Sequence, residues 1–225
     1  MDIMNKKQLK GLINNLPKTP GIIGKEEYFN SAVLIPLVLI DDEYHFLFEK
    51  RSASIRQGGE ICFPGGEYDR KTDKDFLETA IRETEEELGL SHEQIKVLGA
   101  MHTFLGPMGV TVDSFVALFD IENADELNFD KNEVEKVFTI PVSFFVNNPP
   151  DEYKIRLEMH SHYVDDKGEK IELFPVEQIG LPAKYSKPRS GKSHRVYVYK
   201  TQPDIIWGIT AALIREVVGK ISAGL

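Results

Sequence analysis

Three glutamates carry the clearest chemistry in this chain. Glu83, Glu86 and Glu87 stand at i, i+3 and i+4, so on a helix their carboxylates leave one face, while Glu85 points elsewhere. Like charges at that spacing destabilise a helix by about 0.2–0.5 kcal/mol per pair, so a cluster of three asks for a compensating cation. Mg2+ and Mn2+ prefer carboxylate and carbonyl oxygens, and Mg2+ keeps waters and bridges to substrate phosphates. Taken alone, an acidic run is more often a solvated helix face, so its setting has to decide.

That setting is a helix expected over residues 75–88, with Leu77, Ala80, Ile81, Thr84 and Leu88 on one face and Gly89 just past its end. Upstream, Gly58-Gly59-Glu60-Ile61-Cys62-Phe63-Pro64-Gly65-Gly66 permits a bent loop whose backbone can approach a ligand. Residues 31–40 and 44–50 read as strands joined by Asp41-Asp42-Glu43. Further strands are expected over 95–104, 110–119, 137–140, 153–164, 170–174 and 196–199, and helices over 6–16 and 204–221. Phe144, Phe145 and Trp207 read as core. Strands around one strong central helix and a closing helix suggest an α/β sandwich. The expected organisation is an N-terminal helix and linker over 1–30, then one domain over 31–225 with a basic insertion at 178–203.

The run Arg82-Glu83-Thr84-Glu85-Glu86-Glu87-Leu88-Gly89-Leu90 resembles the Nudix pattern R-E-U-x-E-E-x-G-U, where U is bulky and aliphatic. It follows Phe63-Pro64-Gly65-Gly66 at about the family's distance. The resemblance implies a Nudix fold, a mixed β-sheet sandwiched between helices (α/β/α). It also implies a metal-dependent pyrophosphohydrolase, with Mg2+ or Mn2+ held by Glu83, Glu86 and Glu87 and by the Gly66 carbonyl. The metals would polarise the pyrophosphate and activate a water, with Glu83 available to help as base. Arg82 would fix the box carboxylates rather than touch substrate. Two positions depart from the pattern. Thr84 stands where an aliphatic residue is usual, and the stretch from Gly66 to Arg82 is two residues longer than G-x5-E-x7-R. Lys74 therefore falls where the family has a glutamate. Asp73, Asp75 and Glu78 are the candidate substitutes, and Glu78 has the i, i+4 spacing to pair with Arg82.

Phe48 to Arg56, with Gly59 to Gly66 and Asp69, is similar to the additional signature of coenzyme A pyrophosphatases, roughly L-x-x-R-S-x3-R-x3-G-x3-F-P-G-G-x2-D, with one residue missing between Arg56 and Gly59. The implied reaction cleaves coenzyme A or acyl-coenzyme A to 4′-phosphopantetheine and adenosine 3′,5′-bisphosphate. Arg51 and Arg56 would contact phosphates, since guanidinium forks match phosphate oxygens. Between Gln178 and Pro203 no residue is acidic, while Lys184, Lys187, Arg189, Lys192, Arg195 and Lys200 are basic. The sharp reading is a loop over the site in which Lys184, Lys187 and Arg189 bind substrate; the bland one is a solvated surface loop. The competing functions are a Nudix pyrophosphatase for ADP-ribose, NADH or a related compound, and a Nudix fold that senses nucleotides without catalysis.

Composition narrows the partners. Lys plus Arg is 27 and Asp plus Glu 36, a net charge of −9, which disfavours a nucleic-acid surface spread over the molecule. A lone cysteine, Cys62, needs no oxidising compartment. No stretch reaches the length of a membrane span, the N-terminus lacks a signal h-region, and the terminal Ser222-Ala223-Gly224-Leu225 is not a peroxisomal address. The expectation is a cytoplasmic enzyme with a small-molecule nucleotide substrate and no membrane partner. Its oligomeric state is not legible, a homodimer being one option. His160 and His162 read as surface residues, and Asp69, Asp73 and Asp75 do not fit a calcium loop because Lys71 and the missing central glycine break that pattern.

Overall fold

Alternating β-branched and aromatic residues in the first half of the chain build the central sheet of this computed structural model, which describes residues 4–223; Gly224 and Leu225, part of the terminal tetrapeptide read above, lie outside it. Strand β1 (Phe29–Ile40) turns through Asp41 and Asp42, both at positive φ, into β2 (Glu43–Arg51). Short strands β3 (Ile61–Cys62) and β4 (Gly65–Glu67) follow, then helix α2 (Phe76–Leu88). After α2 come β5 (Ile95–Ala100), β6 (Phe104–Gly106), β7 (Val110–Phe119), β8 (Val134–Pro141) and the short helix α3 (Val142–Asn147). Helix α1 (Lys6–Asn15), capped by Asn5, precedes the sheet and buries none of its side chains.

The sheet runs β3-β2-β1-β7-β5, with β4 added to β1, β6 to β7 and β8 to β2. The β1–β7 pair is parallel and the others are antiparallel, so the sheet is mixed and both faces need covering. On one face Leu34, Leu47, Ala80, Leu88 and Phe119 form a core beneath α2. On the other Ile35, Phe46, Phe48, Phe145, Ile206 and Ile214 form a second core beneath α3 and the closing helix α4 (Gly208–Ala223). Buried Phe46, Phe48 and Phe145 meet edge-on or tilted at 5.6–6.2 Å, geometries that favour aromatic pairs. The α/β/α sandwich of the expected Nudix fold is therefore present.

The later strands differ from the expected pattern. Residues 153–164 do not form one strand but contribute to three: β9 (Asp151–Ile155), β10 (Glu158–Met159) and β11 (His162–Val164). β11 pairs with β12 (Lys170–Glu172) as a hairpin. β10 pairs with β13 (Arg189–Ser190), and β9 pairs with β14 (His194–Lys200), which also pairs with β15 (Ile205–Trp207). The closing helix starts at Gly208, where a positive φ breaks the chain out of β15, rather than at Asp204. This strand also corrects the core assignment of Trp207. Alternation on β15 sends Ile206 inward at 0% exposure and leaves Trp207 49% exposed.

Candidate active site

Local capping explains why the glutamate helix begins and ends where it does. The Asp75 side chain accepts a hydrogen bond from the Glu78 N–H at 3.0 Å, and Gly89 closes the helix in the left-handed conformation. Thr84 tolerates burial because its hydroxyl donates to the Ala80 carbonyl at 2.7 Å. The helix packs on β1 and β4, which sets its carboxylates against the Gly65-Gly66 backbone. Both glycines are required by close approach: a Cβ at Gly65 would overlap β1 backbone at Ala32 and Val33, and one at Gly66 would overlap the Glu83 carboxylate.

The two extra residues between Gly66 and Arg82 are absorbed in a tight turn. Asp73 N–H donates to the Asp69 carbonyl at 2.8 Å, and Asp69 N–H donates to the Asp73 side chain at 3.1 Å. That turn aims Asp73 at Arg82, whose Nε and Nη2 donate to its two carboxylate oxygens at 2.8 and 3.1 Å. Hydrogen bonding from Arg82 holds the Asp73 carboxyl well below the usual carboxylate range. Of the three acidic candidates, Asp73 fills the place. Asp75 is occupied as the helix cap, and Glu78 accepts from the Lys74 N–H at 2.6 Å instead of pairing with Arg82.

Arg82 also reaches Glu83 at 2.8 Å and Glu86 at 3.0 Å. Glu86 thus stands on an outer rim, and Glu83, set against the Gly66 backbone, reaches the same open cleft of about 520 Å3 lined by Asp69, Arg82, Glu83 and Glu86 among others. Glu87 is buried. It is 3% exposed, and its Oε2 accepts a hydrogen bond from the Gly65 N–H at 2.8 Å.

Around Glu87 lies a residue that the helix pattern could not reveal. Glu49 on β2 is fully buried; one carboxylate oxygen accepts a hydrogen bond from the Cys62 thiol at 3.1 Å, and the other, Oε2, has no partner. Arg51 Nη1 lies 3.8 Å from both Glu49 and Glu87. Burial pushes the Glu87 and Glu49 carboxyls up from the ordinary value, and each also feels the Coulombic influence of neighbouring carboxylates. Glu83 is raised too, chiefly by burial.

The expected site residues therefore fall into three groups. Glu83, Glu87, Gly66 and Arg51 come together, with Glu49 added. Arg82 and Glu86 form the rim, Glu86 being 61% exposed. Arg56, Lys184, Lys187 and Arg189 stand apart. Arg56 is exposed with its guanidinium 4.9 Å from the Phe29 ring centre, and Lys184 and Arg189 both lie over Tyr185 at about 5 Å. The basic stretch is held to β10 through β13 and to β9 through β14. Among the described residues no hydrogen bond or ion pair joins it to α2.

Among the described residues no three acidic, histidine or cysteine side chains converge on one point as they stand: Arg82 engages Glu83 and Glu86 while the Gly65 N–H holds Glu87. The donors nonetheless suit a hard divalent ion. They are carboxylate oxygens beside glycine backbone, and Glu49 Oε2 is a buried acceptor without a hydrogen-bond partner.

Fold and site together define an α/β/α enzyme that gathers carboxylates on one helix over a glycine-rich strand. A family model described as the NUDIX domain matches residues 30–197. The chain belongs to the Nudix hydrolases, pyrophosphohydrolases that act on nucleoside diphosphate derivatives and generally use divalent ions such as Mg2+ or Mn2+. It is 29% identical to the uncharacterized Nudix hydrolase NudL of Photorhabdus laumondii over 221 residues, 98% of this chain and 96% of the relative. It is 33% identical to the peroxisomal coenzyme A diphosphatase NUDT7 of Mus musculus over 117 residues, 52% of this chain and 48% of that one. Among solved structures, a MutT/nudix family protein from Enterococcus faecalis aligns with a TM-score of 0.48 and 16% identity, over 97% of this chain and 70% of the other. No helix among the described residues is long and apolar enough to cross a membrane.

Proposed function

We propose that this Nudix hydrolase cleaves the pyrophosphate of coenzyme A or acyl-coenzyme A, releasing 4′-phosphopantetheine and adenosine 3′,5′-bisphosphate. The observation that carries the reading is the run from Arg51 through Phe63-Pro64-Gly65-Gly66 to Asp69, whose arginine lies at the carboxylate cluster and whose aspartate builds the turn that anchors Arg82. The partial likeness to the mouse coenzyme A diphosphatase supports it.

A bound Mg2+ or Mn2+ would neutralise pyrophosphate charge and lower the pKa of an attacking water. Glu83 and Glu87, with Glu86 released from Arg82, would hold it, and the backbone at Gly66 leaves room for close approach. Asp73 fixes Arg82, and Arg82 in turn fixes the direction of Glu83. Arg51, at a distance where it forms no tight hydrogen bond to either glutamate, retains donors that can turn toward a phosphate. Lys184, Lys187 and Arg189 are proposed to meet the additional phosphate of the substrate.

The test is a substrate panel. Purified protein is incubated with Mg2+ or Mn2+ and coenzyme A, acyl-coenzyme A, ADP-ribose, NADH or nucleoside triphosphates, and products are identified by mass. Preferential cleavage of coenzyme A or its thioesters is expected. Preference for ADP-ribose or NADH would transfer the assignment to those compounds, and no turnover of any of them would mark a nucleotide sensor.

A further inference from the structure

Side chains on β2 alternate across the sheet, so Phe46 and Phe48 enter the core beneath α4 while Leu47 and Glu49 face α2. Leu47 meets hydrocarbon there. Glu49, further along the same face, is wholly buried and lies opposite Cys62 on the neighbouring strand. The thiol holds one of its oxygens and the other is left without a donor. Buried carboxylates are ordinarily paired or ligate metals.

Arg51 is the guanidinium shared by Glu49 and Glu87, with one nitrogen 3.8 Å from each, and Arg82 is engaged by Asp73, Glu83 and Glu86. Two buried carboxylates share one guanidinium that hydrogen-bonds to neither, in a place where water has little access. A hard divalent cation supplies what is missing and accepts oxygen ligands from independent elements.

We propose that Glu49 is an additional carboxylate ligand of the metal centre, contributed by β2 from outside the glutamate helix, and that Cys62 is a positioning residue that leaves Oε2 free for the ion. The inference rests on the metal role of the helix glutamates. It assigns the ion a place between helix and sheet, so that occupancy ties α2 to β2.

Mn2+ binding to the full-length protein, followed by the electron paramagnetic resonance signal of free Mn2+, tests this without reference to activity. Glu49→Gln is expected to weaken Mn2+ binding about 10- to 100-fold or to remove one equivalent, while its Tm in EDTA equals or exceeds that of the wild type. Exposed Glu122→Gln should bind as wild type does. Wild-type Mn2+ affinity and stoichiometry in Glu49→Gln, with weakened binding in Glu87→Gln, would overturn the assignment of Glu49 alone. Wild-type binding in both variants would overturn the metal role of the helix as well. Should Glu49→Gln fail to fold, Glu49→Asp, which draws the carboxylate back by one methylene, is expected to weaken binding, and unchanged affinity there would equally sink the proposal.

Discussion

Two arginine–carboxylate clusters adjoin along the same helix, and they are built in opposite ways. On the rim, Arg82 makes short contacts of 2.8–3.1 Å with Asp73, Glu83 and Glu86, using its whole guanidinium fork. Inside, Arg51 stands 3.8 Å from Glu49 and Glu87, and an oxygen of Glu49 is left unpartnered. The rim cluster is electrostatically satisfied, and its Asp73–Arg82 pair suits a scaffold. The inner cluster is unsatisfied and suits a site completed by a ligand. Burial has opposite consequences in the two places because a buried charge stabilises only when its partners are in place.

The sharpest way to break this comparison is to neutralise one member of each cluster. Glu87→Gln is expected to lower kcat at least 100-fold with the fold retained, since it removes a poorly compensated buried charge. Thermal unfolding and steady-state kinetics on the same preparation check this pairing of effects. A variant that lost stability as much as rate would place Glu87 with the scaffold.

Asp73→Asn should behave in the reverse sense, with a stability loss of about 2–3 kcal/mol from the charge-assisted pair and a smaller effect on rate. Its pH dependence has a definite sign. The Asp73 carboxyl is depressed in the folded protein, so its stabilisation is fully present above the ordinary value near 3.8 and is lost as pH falls through the depressed one. Urea unfolding should therefore show a large gap between wild type and Asp73→Asn at neutral pH and a shrinking gap below about pH 4. A gap that stays constant across this range would mean that the ion pair is not its source.

The smallest expected effect concerns the basic stretch. Joint replacement of Lys184, Lys187 and Arg189 by Gln should raise KM for coenzyme A by roughly 10-fold with kcat preserved, as expected for charges that bind substrate and transition state alike. An unchanged KM would leave these residues as solvated surface, held to Tyr185 and to β10.

Legibility in the sequence followed the range of the interactions. The glutamate helix was readable because its caps, Asp75 and Gly89, and its periodicity are local. The β1–β2 hairpin was readable for the same reason. Asp73 could be narrowed only to one of three acidic residues, since its selection depends on how the Asp69 turn folds. Glu49 was missed: an isolated glutamate in a strand pattern reads as solvent-facing, and its burial arises from packing against a helix distant in sequence. The one signal for it is parity, because Glu49 falls on the same face as Leu47. Residues 153–164 read as one strand because apolar residues recur throughout, yet exposed Tyr153, Ile155 and Met159 show that this pattern does not track one buried face. Trp207 failed for a related reason, a strand of period two having been taken as the start of a helix.

The central claim is that the inner carboxylates drive pyrophosphate cleavage, and it is tested most directly by product-resolved hydrolysis of coenzyme A in the presence of Mn2+, with wild type and Glu87→Gln side by side. Wild type should release 4′-phosphopantetheine and adenosine 3′,5′-bisphosphate in equal amounts and the folded variant almost none; equal rates from the two proteins would rule out a catalytic role for Glu87.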